Sequence, residues 1–261
     1  MKDMIQELVQ YRYLLFTFTW RDIKIKYKQA IMGFFWAIFM PIIIVAAGIV
    51  VRKAFSILSG NPLNLADISS VAVKSLPWVF FVGSIRLATG SLTGNTNLIT
   101  KIYFPRQLCP VSAVLSNLFD FVIASTVLVI ILAIVSIGIS IHLLWLPLLL
   151  GLLILLTVSA ALLLSCANLF FRDIKYIVEV FLTFGIFFTP VFYEANMFGK
   201  WESVLLLNPV ACILEAINSV VVLHQAPDPF WLAYSAAWSV FSLLISWSIF
   251  HRAEFAFAEN I

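Results

Sequence analysis

The sequence predicts an all-α integral membrane protein with six transmembrane helices, and three observations carry that prediction. Hydrophobic residues make up 62% of the 261 positions and charged residues only 11%. A soluble domain of this size carries about 25% charged residues, and burying a core does not remove the charge a soluble surface needs. The chain therefore meets an apolar solvent. Second, six stretches approach the roughly 20 apolar residues that cross a hydrocarbon layer about 30 Å thick. They are Ile31–Val51, Pro77–Gly94, Val111–Ser140, Leu143–Phe171, Ile177–Tyr193 and Pro229–Phe250. Third, Lys and Arg are unevenly shared. With the N-terminus inside, eleven of the sixteen fall in cytoplasmic segments, four (Arg52, Lys53, Lys74 and Lys200) fall outside, and Arg86 lies within a span. That bias places both ends in the cytoplasm.

The region between Phe121 and Phe171 contains no charged residue and is too long for one span. It must turn, and Gly138, His142 and Pro147 mark the place. Residues 1–30 form a separate unit ahead of the membrane domain of residues 31–261. Trp20, Ile23 and Tyr27 share one helical face and Arg21, Lys24 and Lys28 another, with Asp22 and Lys26 spaced to pair at i,i+4. This reads as an amphipathic helix lying on the inner leaflet. Directly before a hydrophobic span, the basic aromatic segment is read as lipid-facing, so no nucleic-acid partner is expected.

Outside the membrane, residues 194–228 hold two apolar runs, Val204–Leu207 and Val210–Leu223, split by Asn208-Pro209. Both are too short to cross, which suggests re-entrant or interfacial helices. They form either a gate at the outer mouth or an extracellular cap.

Several chemistries have no motif here. There is no GxxxxGK[ST] phosphate loop, so the chain does not bind ATP by that device, and HExxH and GxSxG are also absent. Cys109, Cys166 and Cys212 stand far apart in apolar stretches, with no spacing that suggests a metal. No catalytic residue, cofactor or metal is expected within the chain. Arg86 and Asp120 are two charges at similar depth on either side of the 95–110 loop, roughly 13–15 Å from it at 1.5 Å per residue. A lone charge at mid-membrane costs about 2.5–3.5 kcal/mol. The pair is expected to compensate each other, within a subunit or across a dimer; the alternative has Arg86 facing a channel and attracting a pyrophosphate or sugar acid.

The segment RDIKIKYKQAIMGFFWAIFMP (21–41) resembles the opening of permeases of the ABC-type polysaccharide and polyol-phosphate export family, in the ABC-2 membrane-protein group. The resemblance continues through NTNLITKIYFPRQLCP (95–110), FRDIKYIVEVFLTFGIFFTPVFYE (171–194), LLNPVACILEAI (206–217) and the closing FAENI (257–261). These blocks cover nearly the whole chain in order, and NLITKIYFPR is the most specific.

The resemblance implies a six-span permease in the bacterial cytoplasmic (inner) membrane, with both termini inside, paired as a homodimer. It implies two copies of a separate ATPase chain, which would carry the ATP and Mg. The implied substrate is an undecaprenyl-linked glycan such as O-antigen, capsule or teichoic acid. The loop between spans two and three would touch the ATPase through Asn97, Lys101, Phe104, Pro105 and Arg106. The segment between spans five and six would carry gate helices containing Glu215 and Asn218. Asn218 departs from the family, whose members often have arginine there, so the gate salt bridge is replaced at most by a Glu215–Asn218 hydrogen bond.

The matched blocks also read physically. Pro105 and Pro110 bound a short segment that can transmit force. Phe181, Phe184, Phe188 and Phe192 recur on one helical stripe, and sugar C–H faces can slide on such rings; Trp36, Phe80, Phe81 and Arg86 are further channel candidates. Pro41 is expected to kink the first span. The competing readings are a drug or lipid exporter permease of the same group, and a membrane enzyme or scaffold of a glycan-synthesis complex.

Overall fold

The computed structural model describes residues 2–28, 35–59, 62–102, 104–135, 137–254 and 257. The start of the predicted first span (31–34), Tyr103 and the closing motif apart from Phe257 lie outside the described residues. Every regular element among the described residues is helical. In chain order the α-helices are α1 (Lys2–Gln10), α2 (Arg12–Tyr27), α3 (Trp36–Ser59), α4 (Leu65–Thr89), α5 (Thr96–Lys101), α6 (Leu108–Ile134), α7 (Leu146–Phe170), α8 (Ile174–Phe188), α9 (Glu202–Leu206), α10 (Pro209–Val221) and α11 (Pro229–Ala253).

Five helices among the described residues are long and apolar enough to cross a membrane: α3, α4, α6, α7 with its preceding turn, and α11. The fifth predicted span is the exception. It begins as α8, but α8 has only 15 residues, about 22 Å of rise. The stop is chemical: Pro190 follows Thr189, which sits extended at φ −116°, ψ 133°, as a residue before proline prefers. Phe192 therefore does not continue the α8 stripe. It lies beyond the turn and is buried in the core.

The second span differs from expectation in the other direction. α4 starts at Leu65, twelve residues before the predicted Pro77, and carries Pro77 inside it. Lys74, expected outside, is thus inside the helix and only 1% exposed. Helix starts follow their caps. Asp67 accepts a hydrogen bond from the Asn64 backbone N–H at 2.9 Å. Asn208 caps α10 through Val210 N at 3.1 Å, and Asp228 caps α11 through Phe230 N at 2.8 Å. Both of those helices have Pro at their first position, where its missing N–H costs nothing. The uncharged stretch turns as predicted: α6 ends at Ile134 and a short 3-10 turn, Ile141–Trp145, leads into α7.

α4 is the hub, packing against α3, α6, α7, α8 and α10. Its Val71, Val73, Trp78, Phe80, Ile85 and Ala88 join the main core with α7 and α10. A second core at the other end gathers Phe18, Leu92, Ile99, Phe104, Leu108, Phe250 and Phe257. Gly48 lets α3 approach α4 closely. A Cβ built there would lie 2.5 Å from Val71 Cγ1 and 2.6 Å from Phe192 Cδ1. Alanine suits a helix better than glycine by about 1 kcal/mol, yet overpacking costs about 1–3 kcal/mol. Gly48→Ala is therefore expected to lower the thermal unfolding midpoint in detergent, with a larger fall for Gly48→Val.

Candidate functional site

Three places hold the residues singled out from the sequence. The first is the segment joining α4 to α6. α5 is a single short helix whose inner side, Ile99, is buried with Leu92. Asn97, Thr100 and Lys101 are exposed at i, i+3 and i+4 spacing and so form one outward face. Phe104 does not join them. It is buried, edge-on to Phe18 at 5.4 Å, because an apolar ring gains more from that core than from water. Pro105 is half-buried. Arg106 turns inward as well: its guanidinium donates to the Glu254 carbonyl and lies over the Phe257 ring at 5.7 Å. Its backbone N–H donates to Glu254 Oε1 at 3.2 Å. Asn97 and Lys101 are thus available for docking, whereas Phe104 and Arg106 anchor the segment to α2 and the chain's end. Pro110 sits in the first turn of α6 and does not bound it, since an N–H there needs no helical partner.

The second place is the face of α8. Phe181, Phe184 and Phe188 are exposed, and Phe187 joins them. Trp36 is also exposed, against Phe39 at 5.7 Å. Phe80 is not a surface ring: it is buried against Phe121 at 5.3 Å, and Phe81 is half-buried beside Trp78. Arg86 meets Glu179 of α8 in a two-point contact, Nε to Oε2 at 2.8 Å and Nη2 to Oε1 at 2.5 Å. This pair is about half exposed.

Arg86 and Asp120 consequently do not pair within the chain. Asp120 accepts from Tyr27 Oη at 2.5 Å and from Lys26 Nζ at 3.1 Å, and Lys26 also donates to Asn117 Oδ1 at 2.9 Å. Rise along a hairpin sets depth, but the 100° turn per residue sets direction. Arg86 points to α8 while Asp120 points to α2. The same contacts replace the expected Asp22–Lys26 pair, for Asp22 binds Arg21 at 2.8 Å and Ser112 Oγ at 3.1 Å. Burial, aided by the Asp120 carboxylate, pushes the Tyr27 phenol well above its ordinary range. A charge-swap experiment separates the two pairings. Arg86→Glu is expected to be rescued in stability by Glu179→Arg and not by Asp120→Arg, read by the unfolding midpoint of the double variants.

The third place is the opposite end of the bundle. Lys74 Nζ donates to the Tyr193 carbonyl at 2.5 Å and to Glu215 Oε1 at 3.3 Å. Glu215 also accepts from Ala195 N at 3.0 Å. Arg52 bridges Asp67 at 2.5 Å and Glu194 at 2.9 Å. These contacts tie α3, α4, the 193–195 segment and α10 together. Asn218 is 1% exposed and makes no hydrogen bond through either side-chain atom among the described residues. The Glu215–Asn218 bond is therefore not formed, because Glu215 is engaged by Lys74 and Ala195. Sequence reasoning missed Lys74, Arg52, Asp67 and Glu194. The available signal was Lys74 itself, a charge three residues before an apolar run.

Comparison with known proteins covers nearly all of this architecture. Residues 13–222 match the family model described as ABC-2 type transporter. The chain is 28% identical over 261 residues to the O-antigen export system permease protein RfbA of Myxococcus xanthus, covering 99% of each. It is also 23% identical over 249 residues to the protein of that name from Klebsiella pneumoniae, covering 94% of each. With five apolar spanning-length helices and a family match over most of its length, the chain belongs to the ABC-2 type transporter family.

Proposed function

We propose that the chain is the transmembrane subunit of an ATP-driven exporter that moves a lipid-linked polysaccharide, an undecaprenyl-linked glycan, across the bacterial cytoplasmic membrane. The observation that carries this reading is the end-to-end similarity to O-antigen export permeases, 99% of both chains in one case. The geometry supports it. Phe181, Phe184, Phe187 and Phe188 are exposed on α8, and Glu179 of the same helix forms a half-exposed ion pair with Arg86. An exposed ion pair on a spanning bundle is costly against lipid. The face is better suited to a water-filled lumen, where rings support sugar and charges stay hydrated.

In this reading two copies assemble, because one small bundle cannot wall a path for a wide polymer. Two separate ATPase chains hold the ATP and Mg. Residues 95–110 couple to them through the exposed Asn97–Thr100–Lys101 face, and residues 1–30 lie on the inner leaflet. α8 with the turn after it forms the sixth crossing, residues 194–228 guard the outer mouth, and both termini are cytoplasmic. The test is ATPase activity of the purified complex with and without lipid-linked glycan. Stimulation by the glycan and not by bulk phospholipid is expected; equal rates with both would reject the assignment in favour of a drug or lipid exporter.

A further inference from the structure

At the end of the bundle opposite α5, a cavity of about 180 Å³ opens between α10, the start of α11 and the 194–206 segment. Its wall contains four carboxylates, Glu194, Glu202, Glu215 and Asp228, and no Lys, Arg or His. Two of the four are already answered: Glu194 by Arg52, and Glu215 by Lys74 and the Ala195 N–H. Asp228 uses its Oδ1 to cap α11. Glu202 has no ion-pair partner among the described residues.

Asn218 is the independent observation. It belongs to the same wall, is 1% exposed, and has neither Nδ2 nor Oδ1 bonded among the described residues. A buried amide normally finds partners for both groups, and leaving both unmade is unfavourable. The Trp231 indole completes the wall.

The ligand chemistry follows from this set. The unpaired Glu202 carboxylate and an amide oxygen accept hydrogen bonds, the amide nitrogen donates them, and a ring offers an apolar face. An anion is disfavoured by the carboxylates. A lipid chain has nothing to give the amide. Among the described residues no group of three or more His, Cys, Asp or Glu is disposed to hold a metal ion. The volume falls below the roughly 300 Å³ at which drug-sized pockets begin, which suits one sugar ring better than a polymer segment.

We propose that this pocket is a saccharide subsite that holds one neutral sugar residue at the outer mouth, with Asn218 and Glu202 bonding its hydroxyls and Trp231 against its ring. The proposal rests on the export reading for its physiological ligand.

The test is saturation-transfer NMR on the detergent-purified complex of the chain with its ATPase, using free N-acetylglucosamine, galactose and rhamnose in turn, and calcium chloride as a separate probe. At least one sugar is expected to receive magnetisation. Asn218→Leu is expected to weaken it about tenfold, the effect of deleting one amide's hydrogen bonds, without lowering the unfolding midpoint. Should Asn218→Leu misfold, Glu202→Gln on the partly exposed α9 is expected to show the same direction of loss. Absence of binding by all three sugars, binding unchanged in a folded Asn218→Leu or in Glu202→Gln, or a response to calcium alone would each overturn the subsite. Glycan-stimulated ATPase without sugar binding would reject the pocket and leave the export reading intact. Sugar binding without stimulation would do the reverse.

Discussion

Lys74→Met is expected to be the most destabilising single substitution in the membrane core, lowering stability by about 3–5 kcal/mol, the range for breaking one side of a buried ion pair. Lys74 is 1% exposed, and it serves both the Tyr193 carbonyl and the Glu215 carboxylate. Removing it leaves Glu215 as an uncompensated charge. Pairing the change with Glu215→Gln should recover most of the loss, since the amide oxygen can still accept from Ala195 N. Replacing both members of a buried pair by neutral groups is often close to neutral. Unfolding midpoints of the two singles and the double in detergent check this; additive losses would show that Lys74 and Glu215 act independently.

The largest effect on transport is expected from Lys101→Glu. Lys101 is exposed on the α5 face with Asn97 and Thr100, and its side chain makes no ion pair among the described residues to hold the fold. A surface substitution of this kind changes stability by only about 0.5 kcal/mol. If the face docks on an ATPase, reversing a contact charge there costs several kcal/mol of complementarity, so export should fall at least about tenfold with the unfolding midpoint unchanged. Arg106→Glu should behave differently. It places a second carboxylate beside Glu254 and removes the contacts to the Glu254 carbonyl and Phe257, so its loss of export should come with loss of stability. Glycan export by Lys101→Glu at the normal rate and normal expression would remove α5 from the coupling path.

The fold class was legible because solvent quality leaves a compositional mark. The apolar runs that became α3, α6, α7 and α11 stand out by length alone. α4 was harder because its first half holds Asp67, Lys74 and three serines. A hydropathy window counts those as loop, whereas tertiary packing neutralises them with Arg52, Glu215 and backbone groups. α8 failed in the opposite sense. Its apolar run continues past Phe188, but Pro190 ends the helix, and Phe192 drops into the core beside Gly48. The Asp120 contact was illegible for a different reason. Its partners, Lys26 and Tyr27, come from a helix 93 residues earlier in sequence, and no local spacing encodes that approach. Periodicity could place Phe181, Phe184 and Phe188 on one stripe, and they share an exposed face. It could not tell that Phe80 and Phe104 point inward, because that depends on which neighbour covers each face.

Reconstitution into sealed vesicles tests the account's central claim most directly. The chain and its ATPase, supplied with lipid-linked glycan and external ATP, should move the glycan head to the vesicle interior, where an added glycosidase cannot reach it. Movement should require both ATP and the ATPase. Protection of the glycan by the chain alone, or ATP hydrolysis by the complex with the glycan remaining fully digestible, would contradict it.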